Sequence, residues 1–150
     1  MKKIILLTSL LCLSLTSCKD DNDAINSSEK EALLVGKWHM VTAEFYQNGT
    51  LQKSESLKPE NCAYDFYHFK EDKTKDEIYH NPNENCATTN DLGNWSYHAK
   101  SNQITLTDQA DGYVFIAEVV SINENTAKFK VISDGGETPT NPEIYYLLEK

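Results

Sequence analysis

Turn-forming clusters recur at short intervals from Gly36 to the end of the chain, and they leave no room for long helices. Asn48-Gly49, Glu71-Asp72-Lys73, Asn81-Pro82-Asn83, Ser101-Asn102, Asp111-Gly112, Asn123-Glu124-Asn125-Thr126 and Asp134-Gly135-Gly136 separate runs rich in aromatic and β-branched residues. Such runs fit a pleated sheet. They are Trp38 to Tyr46, Ala63 to Lys70, Lys75 to His80, Gly93 to Ala99, Gln103 to Thr107, Tyr113 to Ile122, Ala127 to Ile132 and Ile144 to Leu148. In Gln103 to Thr107 the alternation puts Ile104 and Leu106 on one face. About eight strands with hairpin-length connections predict an all-β antiparallel domain, either an up-and-down barrel or a sandwich. Ahead of them, Ser28-Glu29-Lys30-Glu31 fits a capping box with Ser28 as N-cap, and Gly36 stops the apolar run that follows. One short helix over Glu29 to Val35 is expected, packed against the end of the β structure. Residues 47–61, 81–91 and 134–141 read as loops.

The first residues have a different character. Lys2 and Lys3 precede an apolar stretch from Ile4 to Leu15. The stretch is shorter than the roughly 20 residues of a spanning helix, so a cleaved signal peptide is expected. Leu15-Thr16-Ser17-Cys18 resembles the lipobox of bacterial lipoproteins, which implies cleavage before Cys18 and acylation of its thiol. Each buried methylene contributes about 0.8 kcal/mol, so two or three acyl chains anchor firmly where one does not. Lys19-Asp20-Asp21 resembles the surface-export signal of Bacteroidetes lipoproteins. That implies an outer-membrane protein facing outward; a plain polar tether on a periplasm-facing protein is the alternative. Asp20 to Ser28 is rich in Asp, Asn and Ser and reads as a flexible spacer. The expected organisation is a signal peptide over 1–17, a lipidated cysteine and acidic tether over 18–31, and one domain over 32–150. A chain of this length closes a single hydrophobic core.

Twenty-three acidic residues face fourteen basic ones, for a net charge of −9. Such a surface repels phosphate backbones, so nucleic acid is not an expected partner. Every basic residue is a lysine; without arginine the usual bidentate grip on carboxylate and phosphate is missing. A monomer is expected.

Once Cys12 leaves with the leader and Cys18 takes lipid, Cys62 and Cys86 remain as an even pair. In an oxidising compartment the pair reads as a disulfide; a metal or nucleophile role has no C-x-x-C spacing behind it. His39, His68, His80 and His98 form neither H-x-H nor H-E-x-x-H, and no phosphate loop, nucleophile elbow or calcium loop is present. Asp65 and Asp72, the one conceivable carboxylate pair, suit turn and rim positions better. No catalytic residue, metal or cofactor is expected, and the chain does not read as an enzyme.

Gly36-Lys37-Trp38, after a short helix and at the start of the first strand, matches the lipocalin G-x-W motif. Cys62-x-x-Asp65-x-x-x-Phe69-x-x-Asp72-x-Thr74, then Cys86, Gly93-x-Trp95 and the ending Tyr145-Tyr146-Leu147-Leu148-Glu149-Lys150, resembles the lipocalin-like domain of Bacteroidetes lipoproteins over about residues 32–150. The resemblance implies an up-and-down barrel of about eight strands, with Trp38 plugging its closed end. Two departures stand out. No arginine is available to stack on Trp38, which leaves Lys150 as the nearest cation. Lys73 occupies a hairpin position that is usually glycine. The implied function is binding of a small, largely apolar ligand, with Trp38, Met40, Phe66, Phe69 and Trp95 as candidate cavity residues. Trp38 and Met40 share a strand face, whereas Phe66 and Phe69 do not. The competing expectation is a filled core whose loops bind a protein or glycan at the cell surface. An interior cavity of the order of 300 Å³ separates the two.

Overall fold

Asn48 and Gly49 both take positive φ, 50° and 74°. This is the twist that lets a two-residue turn join antiparallel strands. That hairpin shows how the chain is built in the computed structural model, which describes residues 26–139 and 141–150. The signal peptide, Cys18 and the Lys19-Asp20-Asp21 run lie outside the described residues.

Helix α1 (Ser27–Leu34) is followed by β1 (Gly36–Gln47), β2 (Thr50–Ser56), β3 (Phe66–Phe69), β4 (Thr74–Asn81), β5 (Ala87–His98), β6 (Gln103–Asp108), β7 (Val114–Ile122), β8 (Thr126–Asp134) and β9 (Glu143–Glu149). From β3 to β9 each strand pairs antiparallel with the next, and β9 returns to pair with β1. The first half of β1 pairs with β3, from Gly36 opposite Phe69 to His39 opposite Phe66. Eight strands therefore close into a barrel. The ninth, β2, extends the β1 hairpin from Thr42–Ser56 to Gln47–Thr50.

Three expectations need correcting. The capping box is set two residues earlier: Asn26 is the N-cap, its Oδ1 accepts from the Ser28 and Glu29 amides at 3.0 Å each, and Glu29 returns the bond to the Asn26 amide. Residues 27–31 are thus helix and not tether. The segment 47–61 is largely strand β2, which polar Thr50-Leu51-Gln52-Lys53-Ser54-Glu55-Ser56 does not advertise because neither of its faces is buried. The segment 81–91 is mostly the tip of the β4–β5 hairpin, with β5 running six residues further back than Gly93.

The interior is apolar along most of its length. Trp38, Met40, Ala43, Phe69, Trp95, Ile104, Leu106, Ala117, Val119, Phe129, Val131 and Leu148 are buried. A β-bulge between Met40 and Thr42 shifts the parity of β1. Trp38, Met40 and then Ala43 consequently all point inward, where strict alternation would turn the strand over.

Candidate functional site

One end of the barrel is sealed. Helix α1 lies across it and is held to four different strands or turns. The Leu34 carbonyl accepts from the Trp38 indole at 2.7 Å, and the Leu33 carbonyl accepts from Lys150 Nζ at 3.0 Å. Lys30 Nζ donates to Asn102 Oδ1 at 3.2 Å in the β5–β6 turn, and Lys73 pairs with Glu31 from the β3–β4 turn. The unsatisfied carbonyls of a helix C-terminus carry partial negative charge, so a lysine there is favourable. Lys150 Nζ also stands 4.7 Å from the centre of the Trp38 ring. It takes the role that the missing arginine would have filled, and burial lowers its pKa. Gly36 has φ 126°, a conformation that L side chains rarely adopt, and a Cβ there would approach Lys150 Cε to 3.3 Å. A second G-x-W, Gly93 to Trp95, repeats the device: Lys73 Nζ lies 4.0 Å above the Trp95 ring, whose indole donates to the Lys70 carbonyl at 2.9 Å. Lys73 itself adopts φ 69°, so it keeps the left-handed conformation that glycine takes in such hairpins.

The other end is open and chemically different. A cavity of about 190 Å³ opens there among Tyr67, Glu77, Tyr79, Asp108, Tyr113 and Tyr146, with Leu106, Phe115 and Asp134 completing its wall. Its floor is an ion triad. Lys75 is 1% exposed, and its ammonium lies 2.7 Å from Glu77 and 2.6 Å from Asp108. Burial pulls the Lys75 pKa down, but the hydrogen bonds and charges of Asp108 and Glu77 outweigh it, and the net shift is upward. Gly93 makes the triad possible. A Cβ there would sit 2.1 Å from the Thr107 carbonyl oxygen and 3.1 Å from Lys75 Cε, so any larger residue would displace both strand and lysine.

Four tyrosines complete the mouth. Tyr79 donates to Glu77 Oε1 and Tyr113 donates to Asp134 Oδ1. Burial, then the Glu77 charge, pushes the Tyr67 and Tyr79 phenols well above their ordinary pKa. Tyr146 rises for the same first reason, helped by Asp134 and Glu77. The phenols of Tyr67, Tyr79 and Tyr146 stay protonated at neutral pH. The mouth therefore combines hydroxyls with fixed negative charge.

The residues singled out from the sequence fall elsewhere. Trp38, Met40, Phe69 and Trp95 do come together, but as packed filling of the sealed half, with exposures of 0%, 7%, 0% and 2%. Phe66 points outward from β3 beneath Lys37 Nζ, 3.7 Å from its ring centre. None of the five lines the mouth. The cavity also falls below the 300 Å³ set as the mark of a ligand-holding interior, because large aromatic rings occupy the lower barrel. Cys62 and Cys86 do form the disulfide, with Cα atoms 5.5 Å apart. It ties the segment before β3 to the tip of the β4–β5 hairpin. Asp72 caps the Thr74 amide at 3.0 Å, and Asp65 accepts from the His80 amide at 2.7 Å. Both serve turn and rim, as expected. His68 and His98 do not meet, since β4 separates their strands.

The mouth residues escaped the sequence reading for a physical reason. In Lys75-Asp76-Glu77-Ile78-Tyr79 the one aliphatic residue, Ile78, suggests an inward Asp76–Ile78 face. The strand sits the other way round, with Lys75 and Glu77 buried. The available signal was Gly93, a small residue inside a strand run, which marks a close approach.

The sequence profile of the lipocalin-like domain matches residues 34–147. Among solved structures, a lipocalin-like protein from Bacteroides uniformis superposes with a TM-score of 0.54 at 16% identity, over 79% of this chain and 98% of that one. An uncharacterised protein from Bacteroides eggerthii gives 0.49 at 15% identity, over 77% and 98%. Bovine odorant-binding protein, as a deswapped triple mutant, gives 0.41 at 14%, over 79% and 74%. No curated protein sequence matches significantly. With the profile spanning most of the chain and the eight-stranded barrel closed by β1 and β9, the chain belongs to the lipocalin-like domain family.

Proposed function

We propose that this protein is a lipid-anchored envelope protein that takes a small molecule into the open mouth of its barrel. The observation that carries the reading is the difference between the two ends. Helix α1 and Trp38 close one, while the other keeps a walled cavity with convergent polar groups. Lipocalin-like barrels of eight strands have room for at most one small ligand, and pockets for drug-sized molecules begin near 300 Å³. At about 190 Å³ this cavity suits a smaller molecule, or the headgroup of a larger one. The phenols and carboxylates of the wall favour a ligand with polar atoms over the largely apolar one that the family resemblance implies.

Chemical-shift mapping with a library of small fragments tests the reading. Shifts are expected to cluster on Tyr67, Tyr79, Tyr113 and Tyr146. Binding confined to the sealed end or the outer face, or no binding at all, would remove the mouth as the site. The anchor has its own test. Fatty-acid labelling should mark the wild type and spare Cys18→Ala. Replacing Lys19, Asp20 and Asp21 by alanine should keep the label but reduce protease access in whole cells, if the run directs surface display.

A further inference from the structure

We propose that the mouth selects an organic cation, a protonated amine that carries N–H donors; this rests on the mouth being the binding site. Three carboxylates, Glu77, Asp108 and Asp134, border one small cavity, and among the described residues the only cation beside it is Lys75. Lys75 is already committed to Glu77 and Asp108 from below, which leaves the cavity with an excess of negative charge. Asp134, above it, has only the Tyr113 hydroxyl as a side-chain partner among the described residues. Low-dielectric walls focus such a field and concentrate ligands of opposite charge.

A second, independent feature points the same way. Tyr67 is 7% exposed and its ring lines the cavity. Glu77 lies close to it, but Oε1 and Oε2 of that carboxylate already accept from Tyr79 and Lys75. The Tyr67 hydroxyl donates towards that carboxylate as well, so its own oxygen lone pairs are what it presents to the cavity, and the Tyr146 hydroxyl beside it has no hydrogen-bond partner among the described residues. Both phenols remain protonated, so each offers an oxygen lone pair to an incoming N–H.

The arrangement discriminates among cations. No group of three or more His, Cys, Asp or Glu side chains among the described residues converges as a metal site needs, so a bare metal ion is poorly served. Aromatic faces are present instead: Tyr79, Tyr113, Tyr146 and Phe115 stand around the opening. Ammonium groups are attracted to such faces. A quaternary ammonium would satisfy the rings but leave the Tyr67 and Tyr146 oxygens without a donor. A primary or secondary ammonium satisfies both.

Calorimetric or NMR titration of the full chain with phenethylamine, phenethyl alcohol, phenylacetate and a quaternary phenethyl-trimethylammonium salt tests the assignment. The primary amine is expected to bind at least about tenfold more tightly than its neutral isostere, with affinity falling as salt rises. Asp134→Asn, an exposed substitution away from the buried triad, should erase most of that preference. Tyr67→Phe should lower amine affinity and leave the quaternary salt unchanged. Equal binding of amine and alcohol in the mouth, or preference for phenylacetate, overturns the cation assignment and leaves the mouth as a binding site. Failure of every probe to shift mouth residues overturns both.

Discussion

His39 sits on the outer face of β1, edge-on to Tyr64 and Phe66 at 6.3 and 5.8 Å between ring centres, with its buried Nδ1 lacking a hydrogen-bond partner among the described residues. Burial, then the Lys37 charge, lowers its pKa below 6.5 against the opposing pull of the Tyr64 backbone and then of Glu149. In the unfolded chain the imidazole takes a proton near its ordinary pKa, while the folded protein resists it. Stability should be complete above about pH 6.5 and decline as pH falls towards the depressed folded pKa. Denaturant titrations at a series of pH values should show that decline, and His39→Phe should flatten it; an identical slope in the variant would assign it to other groups. At the same scale Trp38 was legible, because a glycine two residues before a tryptophan at the start of a strand is a compact signal. Trp38→Ala should cost about 3–5 kcal/mol and, where the variant still folds, leave binding at the opposite mouth intact. The Lys75–Glu77–Asp108 triad was not legible. Nothing in a run of charged residues states which of them turns inward, and the pairing that makes burial of Lys75 tolerable comes from β6, about thirty residues away.

At the scale of elements, strands with one apolar face were readable and those without were not. β6 alternates buried Ile104 and Leu106 with half-exposed neighbours and was found to within a residue. β2 is exposed along nearly its whole length and owes its existence to pairing with β1. The helix was found, but its start was misplaced because Asn26 and Ser28 both precede a glutamate by three residues. Asn26 is the one whose side chain reaches the amides. The long connection between β2 and β3 is fastened by Cys62–Cys86 across a sequence separation of 24. Closing a loop of this size in the unfolded chain contributes about 3 kcal/mol of stability. The Cys62→Ser, Cys86→Ser double variant should lose about that much by chemical denaturation, with hydrogen exchange rising first in residues 57–65 and at the β4–β5 tip. A loss spread evenly over the barrel would mean that the bridge holds the whole sheet and not one loop.

For the whole molecule, the two ends of the barrel carry opposite chemistry, and the chain reaches α1 at the sealed one. If Cys18 is acylated as proposed, the chain between it and Asn26 reaches at most about 30 Å, at roughly 3.5 Å per residue. β7, one of the wall strands, has 9 residues, which at about 3.3 Å each spans a similar length before any tilt. Turning the mouth towards the lipid would stretch the tether along the full height of the barrel at a large entropic cost. It would also bring Asp108, Asp111, Asp134 and Glu77 against the headgroups, which is unfavourable wherever the headgroups are anionic. On that anchor, both effects would set the sealed end towards the membrane and the mouth towards solvent, where an incoming molecule would meet it directly. The orientation can be measured on lipidated protein in vesicles that carry a headgroup quencher. A fluorophore on Lys100→Cys, in the β5–β6 turn beside α1, should be strongly quenched. The same fluorophore on Ala110→Cys, in the β6–β7 turn at the mouth, should be quenched little. Equal quenching would mean that the tether leaves the barrel free to tumble, and stronger quenching at Ala110→Cys would place the mouth on the membrane, making lipid its natural source of ligand.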